Sequence, residues 1–202
     1  MSAPRVVVAI LAAGASRRLG RPKQLVSIDG EPLLRRQCRC ALASEVGDVV
    51  VVLGWNADQH RRVIADLPVQ VCVNGRWAEG LAASLRCAVR AARSRRAALL
   101  VFPCDQYRLV ADDLQALYAI WLKTPQRACV SRDGDYAGPP AIVPQAYHND
   151  VLALTGDVGA RSVLYRSGCP SPIEIENPRA TYDLDCPEDA RRAYAWSTRR
   201  SA

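Results

Sequence analysis

Two histidines in 202 residues, no Cys-x-x-Cys pair and no apolar run of membrane-spanning length leave several common kinds of site without material. Neither His60 nor His148 stands in a Ser-His-Asp or Cys-His arrangement, so nucleophilic hydrolysis has no base to work with; both are read as surface histidines. The eight cysteines lie at 38, 40, 72, 87, 104, 129, 169 and 186, mostly inside apolar runs and without zinc spacing. They read as small buried hydrophobes of a protein kept in a reducing cytosol. The longest apolar stretch, Val6 to Ala15, falls far short of the roughly 20 residues of a membrane-spanning helix. It is β-branched rather than leucine-rich and runs straight into a dense basic loop, the pattern of a strand and its turn rather than of a secretory signal. No repeat, low-complexity block or linker divides the chain. Residues 1–202 are therefore expected to form a single domain, cytoplasmic and without a membrane partner.

What is present is an ordinary globular composition, 50% hydrophobic and 23% charged. The net charge of +7, from 27 Lys and Arg against 20 Asp and Glu, favours an anionic partner. The basic residues are spread along the chain apart from Arg93, Arg95 and Arg96 and the Arg199-Arg200 tail. Such runs are solvated faces first, so a small phosphorylated molecule is expected rather than nucleic acid.

Apolar runs VVVAIL (6–11), VVVVL (49–53), VQVCV (69–73) and AALLVF (97–102) alternate with helical patterns, which implies a parallel sheet covered on both faces. In segment 80–93, Leu81, Leu85, Ala88 and Ala92 share one helical face while Arg86, Arg90 and Arg93 line the other. Leu114, Leu117, Tyr118 and Trp121 do the same in 111–122. Pro187-Glu188-Asp189 opens a last helix through about Trp196. In the second half, 128–132, 138–144 and 172–176 are expected strands, with proline restricting some of them to edges. The reading is one α/β sandwich, doubly wound in its first half, with substrate-facing excursions in its second.

In such sheets ligands bind beyond the carboxyl ends of the strands. The stretch VAILAAGASRRLGRPKQL (8–25) delivers Leu11 to Lys23 at that place. Gly14 and Gly20 permit positive φ and bring main-chain N–H groups close to an anion, while Ala12, Ala13 and Ala15 keep side chains out of the way. Arg18 and Lys23 are placed to neutralise phosphates. The loop is neither a Walker A motif nor the Gly-x-Gly-x-x-Gly fingerprint. Val26 to Gly30 reads as a short extended turn, so backbone amides rather than a helix end would grip the anion.

LAAGASRRLGRPKQL resembles the signature LAAGxSxRMGxPKxLL of the MobA-like nucleotidyltransferases, in particular the molybdenum cofactor cytidylyltransferase branch. Leu19 stands where Met is usual, a volume-conserving exchange. The resemblance implies a three-layer α/β/α Rossmann-like fold, mostly parallel with an antiparallel excursion in the second half. It also implies transfer of a nucleotidyl group, CMP from CTP, to the terminal phosphate of molybdopterin, with Mg²⁺ as cofactor and release of pyrophosphate. The product would pass to an apoenzyme of the xanthine dehydrogenase type. CTP rather than GTP rests on Ala12-Ala13, where guanylyltransferase relatives tend to have Ala-Gly-Gly.

Further segments take roles from the same resemblance. NGRWAEGLAASL (74–85) is similar to a family element that implies base and ribose contacts at Asn74, Gly80 and Ser84, beside Leu11, Ala12, Ala13, Gly14, Arg18 and Lys23. LLVFPCDQYRL (99–109) places Asp105 at a strand's carboxyl edge; a turn or cap accounts for an isolated aspartate, and the family motif gives it a metal role. One such carboxylate is chemically enough, since magnesium between phosphates takes one or two and fills its shell with phosphate oxygens and water. Tyr107 departs from a common proline. TYDLDCPEDA (181–190) supplies Asp185 to the metal, with Asp183 as neighbour or substitute on the same strand face. Taken alone, Asp185 is a helix cap. GPPAIVP (138–144) and TGDVGARSVL (155–164) resemble acceptor-side segments, placing Gly138, Pro140 and Arg161 against the acceptor. Taken alone they are a proline-stiffened edge and a helix start capped by Asp157. Another phosphorylated acceptor such as a sugar phosphate, or a non-catalytic cofactor-binding chaperone, are the competing readings.

Overall fold

The structure, a computed structural model, describes residues 4–198. Its strands are β1 (Val6–Ala12), β2 (Ser27–Ile28), β3 (Glu31–Pro32), β4 (Asp48–Leu53), β5 (Gln70–Val73), β6 (Ala98–Pro103), β7 (Cys129–Asp133), β8 (Tyr136–Val143) and β9 (Ile173–Glu176). Its helices are α1 (Leu33–Ala43), α2 (Ala57–Arg62), α3 (Leu81–Ser94), α4 (Ala111–Trp121), α5 (His148–Leu152), α6 (Arg161–Leu164) and α7 (Pro187–Thr198). Seven strands form one sheet in the order β5-β4-β1-β6-β8-β7-β9. The β5-β4-β1-β6 part is parallel, and β8 runs antiparallel to both β6 and β7.

The sheet is covered on both sides, which is why its strands read as unbroken apolar runs. Alternate residues of β1 go to opposite faces. Val6, Val8 and Ile10 pack with Leu34 and Cys38 of α1 and with Leu114 and Trp121 of α4. Val7 and Ala9 pack with Leu85, Ala88 and Val89 of α3 and with Val151 of α5. A third cluster joins Leu19, Ile28, Leu33 and Tyr107 to Leu184, Ala190 and Ala193, fastening α7 over the β2–β3 hairpin. That hairpin turns at Asp29 and Gly30, both at positive φ (53° and 78°), as a two-residue primed turn requires.

The 138–144 strand corrects an expectation. Instead of lying at an edge, β8 sits inside the sheet between β6 and β7. Its two prolines are tolerated because they fall at a register shift: Val130 faces Ala141 and Ser131 faces Gly138, so Pro139 and Pro140 bulge out of the ladder. The 172–176 strand, β9, does lie at the edge. Both histidines are also corrected, being 0% and 2% exposed rather than on the surface; α2 lays His60 beside Trp55, with ring centres 6.2 Å apart. Among the described residues no helix is long and apolar enough to cross a membrane.

Candidate active site

From β1 the chain moves outward to β4 and β5, then returns to place β6 on the other side of β1. The loops after β1 and β6 therefore open side by side at the sheet's carboxyl edge, at the point where the strand order reverses. A cavity of about 380 Å³ lies there. Leu11, Ala12, Ala13, Gly14, Arg18, Lys23, Gly80, Ser84, Asp105 and Asp185 all line it, together with Ser16, Gln24, Trp77, Leu81 and Asp157.

The loop after β1 is held from beneath by Gln24, which is 1% exposed. Its amide nitrogen donates to the carbonyls of Ala12 (3.0 Å) and Gly14 (2.8 Å), and its oxygen accepts from Ser16 Oγ (3.3 Å). Ser16 Oγ in turn accepts from the Lys23 N–H at 3.0 Å. The left-handed residues of the loop are Ser16 (φ 54°) and Gly20 (φ 72°). Gly14 does not need positive φ, contrary to expectation; a Cβ there would stand in open space. Among the described residues, none of the main-chain N–H groups from Gly14 to Arg18 donates to another group. A row of unpaired donors with their carbonyls turned away is the form of an anion cradle. The chain enters a single 3₁₀ turn, Lys23–Leu25, after this loop.

Opposite the loop, residues 105–107 and 182–184 pair antiparallel through a bridge between Gln106 and Asp183. Leu184 N–H donates to Asp105 O at 3.0 Å and Tyr107 N–H to Tyr182 O at 3.1 Å. Tyr107 is buried edge-on to Tyr182 and Trp196 (6.2 and 5.8 Å), and the Arg108 guanidinium stacks 3.5 Å over the Tyr182 ring. This clamp brings the two acidic segments together. Lys23 Nζ donates to Asp105 Oδ2 at 2.5 Å and to Asp185 Oδ1 at 2.8 Å, while Arg18 reaches Asp185 Oδ2 at 2.9 Å. Burial disfavours the Lys23 charge, but the Asp105 carboxylate and the hydrogen bonds to both acids outweigh it and hold the ammonium well above the usual lysine range. Asp185 does not cap α7: Asp189 does, accepting from the N–H groups of Asp185 and Cys186 at 3.1 and 3.0 Å. The Asp185 side chain is thereby free to face the cavity.

Asp183 pairs with Gln106 beside Asp105 and is close enough to Asp105, Asp185 and Lys23 to feel their charges. It lines a separate cleft with Arg108 and Tyr182, and among the described residues no three acids, histidines or cysteines group closely enough to hold a metal. Burial, reinforced by Asp105 and Asp185, pushes its carboxyl up to about 7. Asn74 lies behind the wall, donating to Ser84 Oγ at 3.1 Å. Gly138 and Pro140 are buried in β8, Pro140 O accepting from Ser131 Oγ. Arg161 donates to Ala137 O and stacks on Tyr165, 4.8 Å from the ring centre. The last three do not line the cavity.

Asp157 caps α3 rather than the helix that follows it, accepting from Leu81 N–H at 3.2 Å. Gly80 makes this approach possible: at φ 101°, it has Gly156 backbone atoms 2.6 Å from where a Cβ would stand. Gln24 and Trp77 are not singled out by the sequence reading, and Asp157 is read there only as the cap of a different helix. Gln24 and Trp77 sit inside the two motif stretches quoted above, which was the available signal.

Residues 8–170 match the MobA-like NTP transferase domain. The chain is 29% identical over 201 residues to the purine catabolism protein PucB of Bacillus subtilis, covering 94% of this chain and 96% of PucB. It is 36% identical over 169 residues to nicotine blue oxidoreductase of Paenarthrobacter nicotinovorans (80% and 82% covered). It is 35% identical over 121 residues to a probable molybdenum cofactor guanylyltransferase of Opitutus terrae (60% and 54%). Among solved structures, Rv0371c from Mycobacterium tuberculosis H37Rv superposes with a TM-score of 0.83 at 24% identity, covering 95% and 98% of the two chains. Its manganese complex does so at 0.78 and 22%, with the same coverage. With the match running from β1 past α6, the chain belongs to the MobA-like NTP transferases and is an enzyme of the nucleotidyltransferase type.

Proposed function

We propose that this chain transfers CMP from CTP to the terminal phosphate of molybdopterin and releases pyrophosphate. One observation carries the reading: Asp105 and Asp185 converge on a single ammonium at the rim of a loop whose N–H groups from Gly14 to Arg18 have no partner among the described residues. The signature at residues 11–25 and the molybdenum cofactor relative support the acceptor. In nucleotidyl transfer the protein positions the reactants and offsets charge spread over phosphate oxygens. The cradle from Gly14 to Arg18 holds the triphosphate, and Arg18 and Lys23 stabilise the leaving pyrophosphate. The choice of CTP rests on Ala12 and Ala13, both of which line the cavity.

The donor set fits a hard divalent ion such as Mg²⁺. Asp105 Oδ1 is buried without a hydrogen-bond partner among the described residues, and two carboxylates with phosphate oxygens make a common magnesium environment. Asp105 and Asp185 would hold the ion, which supplies a Lewis acid to the phosphate oxygens. The manganese complex of Rv0371c accords with this. All eight cysteines are free thiols, in keeping with a reducing cytoplasm.

The test is to incubate purified enzyme and Mg²⁺ with molybdenum cofactor or a sugar phosphate and each triphosphate in turn, and to measure pyrophosphate. CTP with molybdenum cofactor is expected to give the dinucleotide. Release with GTP alone overturns the base assignment, release only with the sugar phosphate overturns the acceptor, and cofactor binding without any release leaves a chaperone.

A further inference from the structure

Three of the four carboxylate oxygens of Asp105 and Asp185 are already taken, and the fourth, the buried Asp105 Oδ1, has no partner among the described residues, so an ion shared by both acids must displace a cation from Asp185. Asp105 Oδ2 and Asp185 Oδ1 hold Lys23 Nζ at 2.5 and 2.8 Å, and Arg18 covers Asp185 Oδ2. Two negative and two positive charges make the cluster self-balanced. Magnesium binds oxygen at about 2.0–2.1 Å, so an ion on these atoms would stand where the ammonium stands and repel it strongly in a partly desolvated site. The Lys23 side chain is only 15% exposed. Its backbone is pinned by Ser16 Oγ and the 3₁₀ turn, so any exchange must be a rotation of the four-carbon stem alone. The nearest alternative partner is whatever anion occupies the unpaired N–H row of the loop, since Lys23 lines the same cavity.

We infer that Lys23 is an exchangeable counter-ion. It keeps divalent metal off Asp105 and Asp185 while the cradle is empty, and is drawn onto the triphosphate when the cradle fills, so that metal and nucleotide enter as a coupled pair. The inference rests on the triphosphate reading above but not on the identity of the acceptor. Coupling of this kind is reciprocal: nucleotide raises metal affinity by the factor by which metal raises nucleotide affinity.

The chain makes the test clean because it has two lysines, Lys23 and the exposed Lys123. Lysine labelled with ¹³C at Cε gives two signals, the second an internal control. Mg²⁺ alone is expected to move neither, and Mg²⁺ with α,β-methylene CTP to move the Lys23 signal alone. In parallel, Mn²⁺ binding followed by electron paramagnetic resonance is expected to be weak for the nucleotide-free wild type. It should tighten about ten- to a hundredfold in Lys23→Met or on adding the analogue to wild type. Equal Mn²⁺ affinity in wild type and Lys23→Met overturns the exchange. So does a Lys23 signal that responds to Mg²⁺ alone as fully as to the complex, a result that needs no variant. Full coupling without pyrophosphate release from any acceptor supports the exchange and instead overturns the transferase reading.

Discussion

Gln24 donates a 2.8 Å hydrogen bond to the carbonyl of Gly14, ten positions before it, from a side chain almost sealed from solvent. The bond fixes that carbonyl, as the one to Ala12 fixes its own, on a loop that lines the cavity and whose N–H groups from Gly14 to Arg18 find no partner among the described residues. Gln24→Glu replaces the donor with a carboxylate aimed at two carbonyls. Leaving buried acceptors unpaired costs about 1–3 kcal/mol each, so we expect a lowered melting temperature and a rise in KM for the triphosphate of at least about tenfold. Gln24→Met, similar in volume, should do less harm. Equal KM in wild type and Gln24→Glu would show that the cradle does not depend on this side chain.

Asp105→Ala is expected to abolish turnover with little loss of fold, because Asp105 sits at a loop edge and its main-chain pairing to Leu184 survives the change. Asp185→Asn should cost about as much, on the order of a hundredfold or more in kcat. Asp183→Asn, in its separate cleft, should cost far less. Steady-state rates and circular dichroism on the three variants decide it; an active Asp105→Ala enzyme would end the metal role.

Gly80→Ala meets two obstacles at once, a φ of 101° and backbone atoms of Gly156 within 2.6 Å. Strain of this type costs about 1–3 kcal/mol, and relief requires the 156–157 segment to leave the start of α3. Chemical denaturation should show the loss. Asp157→Ala, which removes the cap but no backbone fit, should lose only about 0.5–2 kcal/mol.

Burial pushes the His60 imidazole below the ordinary histidine range, so the folded state favours the neutral ring. The unfolded chain takes up a proton near about pH 6.5. It therefore binds more protons than the folded one as pH falls, and stability present above that value is lost below it. From about pH 7.5 to 5.5 this contribution lowers the melting temperature, against the opposite one from Asp183, whose raised carboxyl takes up a proton in the folded state over the same range, so His60→Phe, which keeps the fit beside Trp55, should lose less stability than wild type on acidification. An identical slope in the variant would assign the acid sensitivity elsewhere, with His148, similarly shifted by burial, the next residue to change.

The parallel half was legible because a strand buried on both faces has no polar alternation to disguise it, and the Arg rows of α3 marked the opposite side of that helix. Leu81 was the exception, 39% exposed where it forms part of the cavity wall. The acids could be named because motif spacing survives in sequence. Gln24, by contrast, reads like any polar loop residue until the carbonyls of Ala12 and Gly14 are folded over it. Asp157 was attached to the nearest helix, whereas the N–H it satisfies is 76 positions away. Proline in 138–144 argued for an edge, because a register shift that moves prolines out of the ladder leaves no local trace.

The grip of α7 on the β2–β3 hairpin also sets an order of assembly. During synthesis the apolar sheet and both flanking layers emerge before residue 185 does, at roughly 5–20 residues per second. The last sheet strand, β9, ends at Glu176, so at that rate Asp185 follows within about two seconds, and until it arrives Lys23 has Asp105 as its one acidic partner. A product proteolysed ahead of Tyr182 would lose that acid together with Leu184, Ala190 and Ala193, laying bare the apolar side of Leu19, Ile28 and Tyr107.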